Sequence, residues 1–317
     1  MNFQWPALFP KRRMESGWMA FSFQPDGLNY VHLRQGRNGR PEATHFGWRQ
    51  LSVGEREGFR KLSRELFASR FPSILVLGSD EYQLLSMEAP GVPKEERKTA
   101  MRWKIRDMID YRIDDATFDM LEIPGDPAQP FRDPQIYAVI AKNEILSERM
   151  ALFARAEIPL SVIDIPEMAQ RNLASFFETE SKALAMLSFG IHKVLLTITS
   201  EGQFYLSRHI DIARISLQDR EEAVRLDAFE RLTLELQRSL DHFEHQYNHI
   251  ALDRLMLGPL PGVEDLSGHL ARNLQIPVEK TGLENWIDFT STPELAEPEW
   301  QARCWLSLGA ALREVEP

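Results

Sequence analysis

Ser22-Phe-Gln-Pro-Asp-Gly-Leu-Asn-Tyr-Val31 and Thr197-Ile-Thr-Ser-Glu-Gly-Gln-Phe-Tyr-Leu206 share one pattern. Each sets an acidic residue and a glycine between strand-forming runs, with a tyrosine three residues past the glycine. An acidic-Gly pair tolerates the positive φ that a tight hairpin demands. Around the first stretch, Trp18–Phe23, Leu28–Arg34 and Thr44–Gln50 read as strands. Glu55–Ser69 follows as an amphipathic helix, with Phe59, Leu62, Leu66 and Phe67 on one side. Around the second, Ala183–Phe189, Lys193–Ser200 and Gln203–Ile210 read as strands, and a long helix runs from roughly Arg220 to Asn248. A strand meander followed by helices occurs twice, so the chain is expected to be an internally duplicated α/β protein.

The connecting segments fill in the plan. Ile74–Leu77 and Tyr82–Met87 read as short strands about a Gly78-Ser79-Asp80 turn. After Pro90 come a helix from Pro93 to about Asp110 and strands Phe118–Ile123 and Ile136–Ala141 around the Pro124–Pro134 loop. A helix capped by Asn143 and a strand Leu160–Ile165 complete a compact α/β unit inserted at about residues 92–160. The helix Pro166–Phe177 closes the first half; Leu255–Gly258, Leu266–Leu274 and Trp300–Arg313 supply a strand, a helix and a closing helix. The expected organisation is a tail at 1–13, a first domain at 14–178 and a second at 179–297. A closing helix at 298–317 is expected to pack back on the first domain.

Composition narrows the function classes. The 317 residues carry a formal net charge of −10, against non-specific nucleic-acid binding, which needs clustered cations. The single cysteine, Cys304, permits no intrachain disulfide and no multi-cysteine zinc site. Ala183–Thr199 is the most apolar stretch, and His192 and Lys193 interrupt it well short of a membrane span. Met1–Arg13 places Phe3, Trp5, Leu8 and Phe9 ahead of Lys11, Arg12 and Arg13, the reverse of a signal peptide's charge order. It reads as a flexible or partner-bound tail, with a chemistry that also suits a membrane surface.

Four segments in order carry a family resemblance: Glu235-Leu-Gln-Arg-Ser-Leu-Asp-His-Phe243, Leu255-Met-Leu-Gly258, Asn273-Leu-Gln-Ile-Pro-Val-Glu279 and Leu308-Gly-Ala-Ala-Leu-Arg-Glu314. Together with Val162-Ile-Asp-Ile-Pro-Glu-Met-Ala169 they resemble the PilM family of type IV pilus assembly proteins, over about residues 15–315. The resemblance implies an actin-like (ribonuclease H-like) duplicated two-domain fold with an inserted small α/β subdomain. It implies a cytoplasmic protein, peripheral at the inner membrane, that binds the N-terminal tail of a PilN-like bitopic membrane protein and the pilus assembly platform. It also implies an interdomain ATP cleft with two phosphate loops and an adenosine loop.

Those loops are altered here. Phosphate binding needs small residues whose N–H groups approach the phosphates and an acid that orders the metal's waters. The first loop is matched to Glu15–Ser22, where only Gly17 is kept and Trp18, Met19 and Phe21 are bulky. In the second, Gly190 is kept but Ser188 stands where the acid belongs. The adenosine loop keeps Gly258 and Gly262, while Pro259 and Pro261 remove donors. Glu235, Arg238 and Ser239 resemble residues that flank adenine. Without the metal-ordering carboxylate, ATP hydrolysis is not expected and Mg·ATP is not a required cofactor.

Other constellations read as surface. His242, His245 and His249 follow i, i+3, i+7 on the long helix, a spacing open to a metal, yet they lie among Asp241 and Glu244 as on a solvated face. Asp114, Asp115, Asp119 and Glu122 lack a basic partner pattern and would alternate across a strand. No P-loop, nucleophile elbow or dinucleotide fingerprint is present. The expected role is therefore docking without turnover. The partner peptide is expected at the inserted unit's helix, near Arg102, Arg106 and Tyr111. The alternatives are an active actin-like ATPase and a cytoplasmic subunit of a type II secretion system.

Overall fold

The structure, a computed structural model, describes residues 14–52, 54–126 and 135–313. The tail expected at 1–13 and most of the Pro124–Pro134 loop lie outside the described residues. The first half contains β1 (Trp18–Gln24), β2 (Gly27–Gln35), β3 (Pro41–Arg49), α1 (Arg56–Glu65), β4 (Ser73–Val76) and β5 (Tyr82–Glu88). It continues with α2 (Lys94–Arg106), β6 (Ala116–Glu122), β7 (Gln135–Lys142), α3 (Asn143–Arg155), β8 (Leu160–Asp164) and α4 (Pro166–Ala174). The second half contains β9 (Lys182–Phe189), β10 (Val194–Ser200), β11 (Gln203–Ile210), α5 (Arg214–Leu217) and α6 (Glu222–Gln246). It ends with β12 (Ala251–Leu257), α7 (Asp265–Asn273), β13 (Val278–Lys280) and α8 (Pro298–Ala311).

The duplication is explicit in the strand order. One five-stranded sheet runs β3-β2-β1-β4-β8 and the other β11-β10-β9-β12-β13. In each, an antiparallel meander is extended by two parallel strands. By place in the sheet, β9 repeats β1 and β10 repeats β2. The likeness between Ser22–Val31 and Thr197–Leu206 is therefore one hairpin out of step, pairing the β1–β2 turn with the β10–β11 turn. The two turns also differ. Glu201 (φ 52) and Gly202 (φ 70) both take the left-handed region that a two-residue type I′ hairpin requires. Pro25 locks φ negative at the first tip, so Pro25-Asp26 cannot form that turn.

Period-two alternation places each sheet between two apolar layers. Met19, Phe21 and Phe23 of β1 join one core with α1, α3 and α6, as do Ala183, Ala185, Leu187 and Phe189 of β9. The intervening Ala20, Leu184 and Met186 face a second core built around α4 and α8. Helix α8 lies on the first sheet against β1, β2 and β4, and α4 lies on β9, β10 and β11 of the second. The two helices cross where Gly309 meets Ala169; a Cβ on Gly309 would stand 2.0 Å from the Ala169 carbonyl oxygen.

The inserted unit has other boundaries than expected. Its antiparallel sheet β5-β7-β6 begins at Tyr82, and α2 packs on it through Met101 and Ile105. α3 and β8, assigned to the insert from the sequence, belong to the first domain: Phe153 of α3 packs edge-on to Phe21 and Phe59, and β8 extends the first sheet. The apolar moments of these short segments do not say which sheet they cover. Asn143 does not cap α3 with its side chain; it takes the first helical position, accepts from Thr117 Oγ1 (2.7 Å) and donates to the Asp114 carbonyl (3.0 Å).

Two histidines give the first sheet a pH dependence. His32 pairs with His45 across β2–β3 and its ring lies 4.3 Å from that of Phe71. Burial, reinforced by the neighbouring His45, pushes the His32 imidazole down to about 4, and burial lowers His45 too. The unfolded chain takes up this proton near its ordinary 6.5, which the folded chain refuses until about 4. The contribution is therefore fully present above about pH 6.5 and lost as pH falls towards 4. Urea unfolding at pH 5 should show about 2 kcal/mol less stability from His32 than at pH 7.5. A His32→Gln variant should flatten that slope.

Candidate functional site

The opening hairpin of the first sheet turns at Pro25-Asp26, so a first phosphate loop belongs there and not at Glu15–Ser22. Gly17 stands at the other end of β1, at φ +92, where a Cβ would meet the Leu33 carbonyl at 2.1 Å. Its glycine serves strand packing. The hairpin tip is clasped from α8: Arg303 donates to Asp26 Oδ2 (2.9 Å) and its guanidinium lies 4.7 Å from the Trp48 ring centroid. A side chain on Gly27 would collide with Trp48, at 2.6 Å from Nε1. Pro25, Asp26, Trp48, Ser52, Glu55 and Arg303 line a cavity of about 560 Å³. Pro25 offers no N–H, and the Asp26 carboxylate is engaged by Arg303.

The second candidate loop closes the β9–β10 hairpin. Gly190 N–H donates to the Lys193 carbonyl (2.9 Å), and Lys193 pairs with Asp211 at 3.3 Å. Ser188 is buried near the end of β9, beside Leu195 of β10. Gly258 N–H donates to the Leu187 carbonyl (2.7 Å), which brings Ser188, Gly190 and Gly258 to one end of the second sheet. Trp305 of α8 packs there, 3.5 Å from the position a Gly258 Cβ would take. Gly262 (φ +77) forms the next turn, and Gln218 donates to the Pro261 carbonyl at 2.9 Å. Neither β1 nor β9 carries an Asp or Glu, so neither strand offers a carboxylate to order a hydrated Mg²⁺.

The other predicted residues fall elsewhere. Ser239 accepts from Arg208 of β11 (3.2 Å), and Glu235 pairs with Arg238 (2.8 Å), so the adenine-flanking set is engaged with the edge of the second sheet. Arg102 donates to Asp114, which Arg112 also holds, and these two guanidiniums lower the Asp114 carboxyl below its usual range. Arg106 lies 4.9 Å from the Trp103 ring centroid, with Trp103 62% and Met108 49% exposed. Tyr111 packs inward on the insert's core, so the three predicted groove residues do not share one face. Cys304 is fully buried and burial pushes its thiol up to about 12, leaving no thiolate for nucleophilic chemistry. Among the described residues no group of three or more His, Cys, Asp or Glu side chains is disposed to hold a metal.

One polar cluster went unread in the sequence. Glu167, in the first turn of α4, is fully buried. Tyr82 Oη donates to Glu167 Oε2 (2.6 Å), while His209 Nε2 (2.9 Å) and Ser207 Oγ (3.3 Å) approach Oε1. This joins the start of the insert, the crossover helix and β11 of the second domain. Burial, then the adjacent Glu167 charge, hold the Tyr82 phenol well above its ordinary range. An acid one residue past Pro166 was legible as helix-start chemistry. Its partners, distant in sequence, were not.

No family profile matches the chain, and no curated protein matches its sequence. Solved structures do match. A chain of the PilM–PilN type IV pilus biogenesis complex superposes with a TM-score of 0.75 at 19% identity, over 96% of this chain and 100% of that one. The cytoplasmic domain of EpsL, an inner-membrane component of the type II secretion system of Vibrio cholerae, gives 0.56 at 14% identity, over 95% and 97%. A Bacteroides thetaiotaomicron protein of actin-like ATPase fold and unknown function gives 0.52 at 10% identity, over 86% and 93%. The chain therefore has the actin-like fold. Its duplicated sheets and crossing helices are that architecture's defining parts.

Proposed function

We propose that this chain is a docking and assembly protein of a type IV pilus of the mannose-sensitive haemagglutinin (MSHA) kind, corresponding to the biogenesis protein MshI. In this reading it is cytoplasmic and peripheral at the inner membrane. It captures the N-terminal tail of a PilN-like bitopic protein, joins the assembly platform, and acts as a pseudo-ATPase. The observation that carries the reading is the likeness in fold to the PilM–PilN chain along the whole length of both. The pseudo-ATPase part rests on β1 and β9 without carboxylates and on a hairpin tip held by Arg303. No helix of the described residues is long and apolar enough to cross a membrane, which suits attachment through a partner. The insert's exposed Trp103, set between Arg102 and Arg106, is the anchor point for the tail.

Calorimetric titration with the partner's N-terminal peptide tests it. Binding tighter than ~100 μM is expected, weakened about tenfold or more by Trp103→Ala. No heat at ~100 μM overturns the docking reading. Saturating Mg·ATP should leave the melting temperature unchanged, whereas a working nucleotide site filled at ~100 Kd would add about 2.7 kcal/mol. A secretion-system role is the second reading, favoured by the likeness to EpsL. Preference for a secretion-type over a pilus-type partner tail would select it.

A further inference from the structure

One corner of the first domain departs from the chain's acidic balance. Arg56, Arg60 and Arg64 follow i, i+4, i+8 along one flank of α1, all exposed. Among the described residues none of the three guanidiniums has an ion-pair or hydrogen-bond partner. The flank opposite holds its charges differently, as Glu65 pairs with Arg49 at 3.6 Å. Three residues past Arg64 stands Phe67, 65% exposed and at φ 51. The left-handed region is costly for a bulky side chain and suits glycine. An aromatic held there and 65% exposed gains little from burial, which points to a contact outside the chain.

The same corner receives the N-terminal segment. Glu15 N–H donates to the Arg70 carbonyl (2.8 Å) and its carboxylate pairs with the Arg70 guanidinium, fixing Met14, 42% exposed, beside the loop that carries Phe67. The sequence immediately before Met14 repeats the chemistry: Phe3, Trp5, Leu8 and Phe9, then Lys11, Arg12 and Arg13. Unpaired arginines beside exposed apolar groups match the charge and depth profile of an anionic headgroup layer over acyl chains. A nucleic acid would need a longer cationic track than one flank of a helix supplies.

We propose that the Arg56–Arg60–Arg64 flank, with Phe67 and Met14 at its end, is a docking surface for an anionic lipid bilayer. The surface lies on α1, outside the insert, so it orients the protein on the membrane independently of the captured tail.

The test is co-flotation of the full-length chain with vesicles of phosphatidylcholine containing 30% phosphatidylglycerol, against vesicles of phosphatidylcholine alone. Each surface cation contributes roughly fivefold to partition onto an anionic surface. Arg60→Glu with Arg64→Glu should therefore weaken binding to the anionic vesicles by at least about tenfold, and 0.5 M salt should do the same. Phe67→Gly removes the aromatic at a position whose φ favours glycine. It should weaken partition several-fold with an unchanged or raised melting temperature, separating a lipid contact from a folding defect. Equal flotation with both vesicle types overturns the proposal, as does wild-type partition in both variants. Loss of partner-peptide binding with intact flotation would count against the docking function and support this surface.

Discussion

Gly309→Ala should lower the stability of the chain by about 2 kcal/mol or more, although alanine is the better helix former by nearly 1 kcal/mol. The added methyl would lie 2.0 Å from the Ala169 carbonyl oxygen and 2.6 Å from its carbon. Both are backbone atoms of α4, so no rotamer change relieves the overlap. α4 and α8 would have to separate, and each is packed on a different sheet. Separation would also stretch the bond from Asn172 Nδ2 to the Gly309 carbonyl, now 2.9 Å. Gly268, within α7, is the control: its nearest neighbour to an added methyl is the flexible Arg272 tip at 3.4 Å. Gly268→Ala should stabilise by roughly 0.5–1 kcal/mol. Urea unfolding of the two variants should thus move the midpoint in opposite directions, and a Gly309→Ala chain as stable as wild type would refute the crossing.

Glu167→Ala should cost about 3–5 kcal/mol, the scale for deleting one side of a buried charged network. It strands the phenol of Tyr82, the imidazole of His209 and the hydroxyl of Ser207, contributed by the insert and by the second domain. Tyr82→Phe should cost about 1–2 kcal/mol, because it removes one donor and leaves the other two on the carboxylate. Hydrogen exchange distinguishes a joint between domains from local packing. In Glu167→Ala, amides of β5 and β11 should exchange faster together while those of β9 stay protected. Uniform loss of protection would mean that the cluster supports the whole core and not the joint.

The candidate loops illustrate where sequence reading stopped. Ser188, Gly190 and Gly258 come together at one end of the second sheet, and the segments around them keep their order and spacing. The first loop was matched to Glu15–Ser22 on Gly17, while the turn itself carries Pro25 ahead of Asp26 and Gly27, so its acid and glycine follow a residue without an N–H. The register of β1 with β2 puts the tip at Pro25-Asp26, inside the turn that the acidic-Gly signal marks. Arg303 is separated from Asp26 by almost the full chain, and nothing local to α8 marks it as the clasp. Phe67 and Arg64 were assigned to an amphipathic helix, yet Phe67 leaves the helix in the left-handed region and turns outward.

By itself the sequence determined the alternation along β1 and β9, the helices, the hairpins and the repetition of a meander with helices. These follow from side-chain spacing and turn residues, which act over a few positions. Tertiary structure alone decided that β9 repeats β1, that α3 joins the first domain, and that α4 and α8 meet at Gly309. It also decided that Glu167 draws three donors from distant segments. Such contacts depend on which apolar faces find each other and on buried polar groups needing partners, and neither is set by neighbours along the chain.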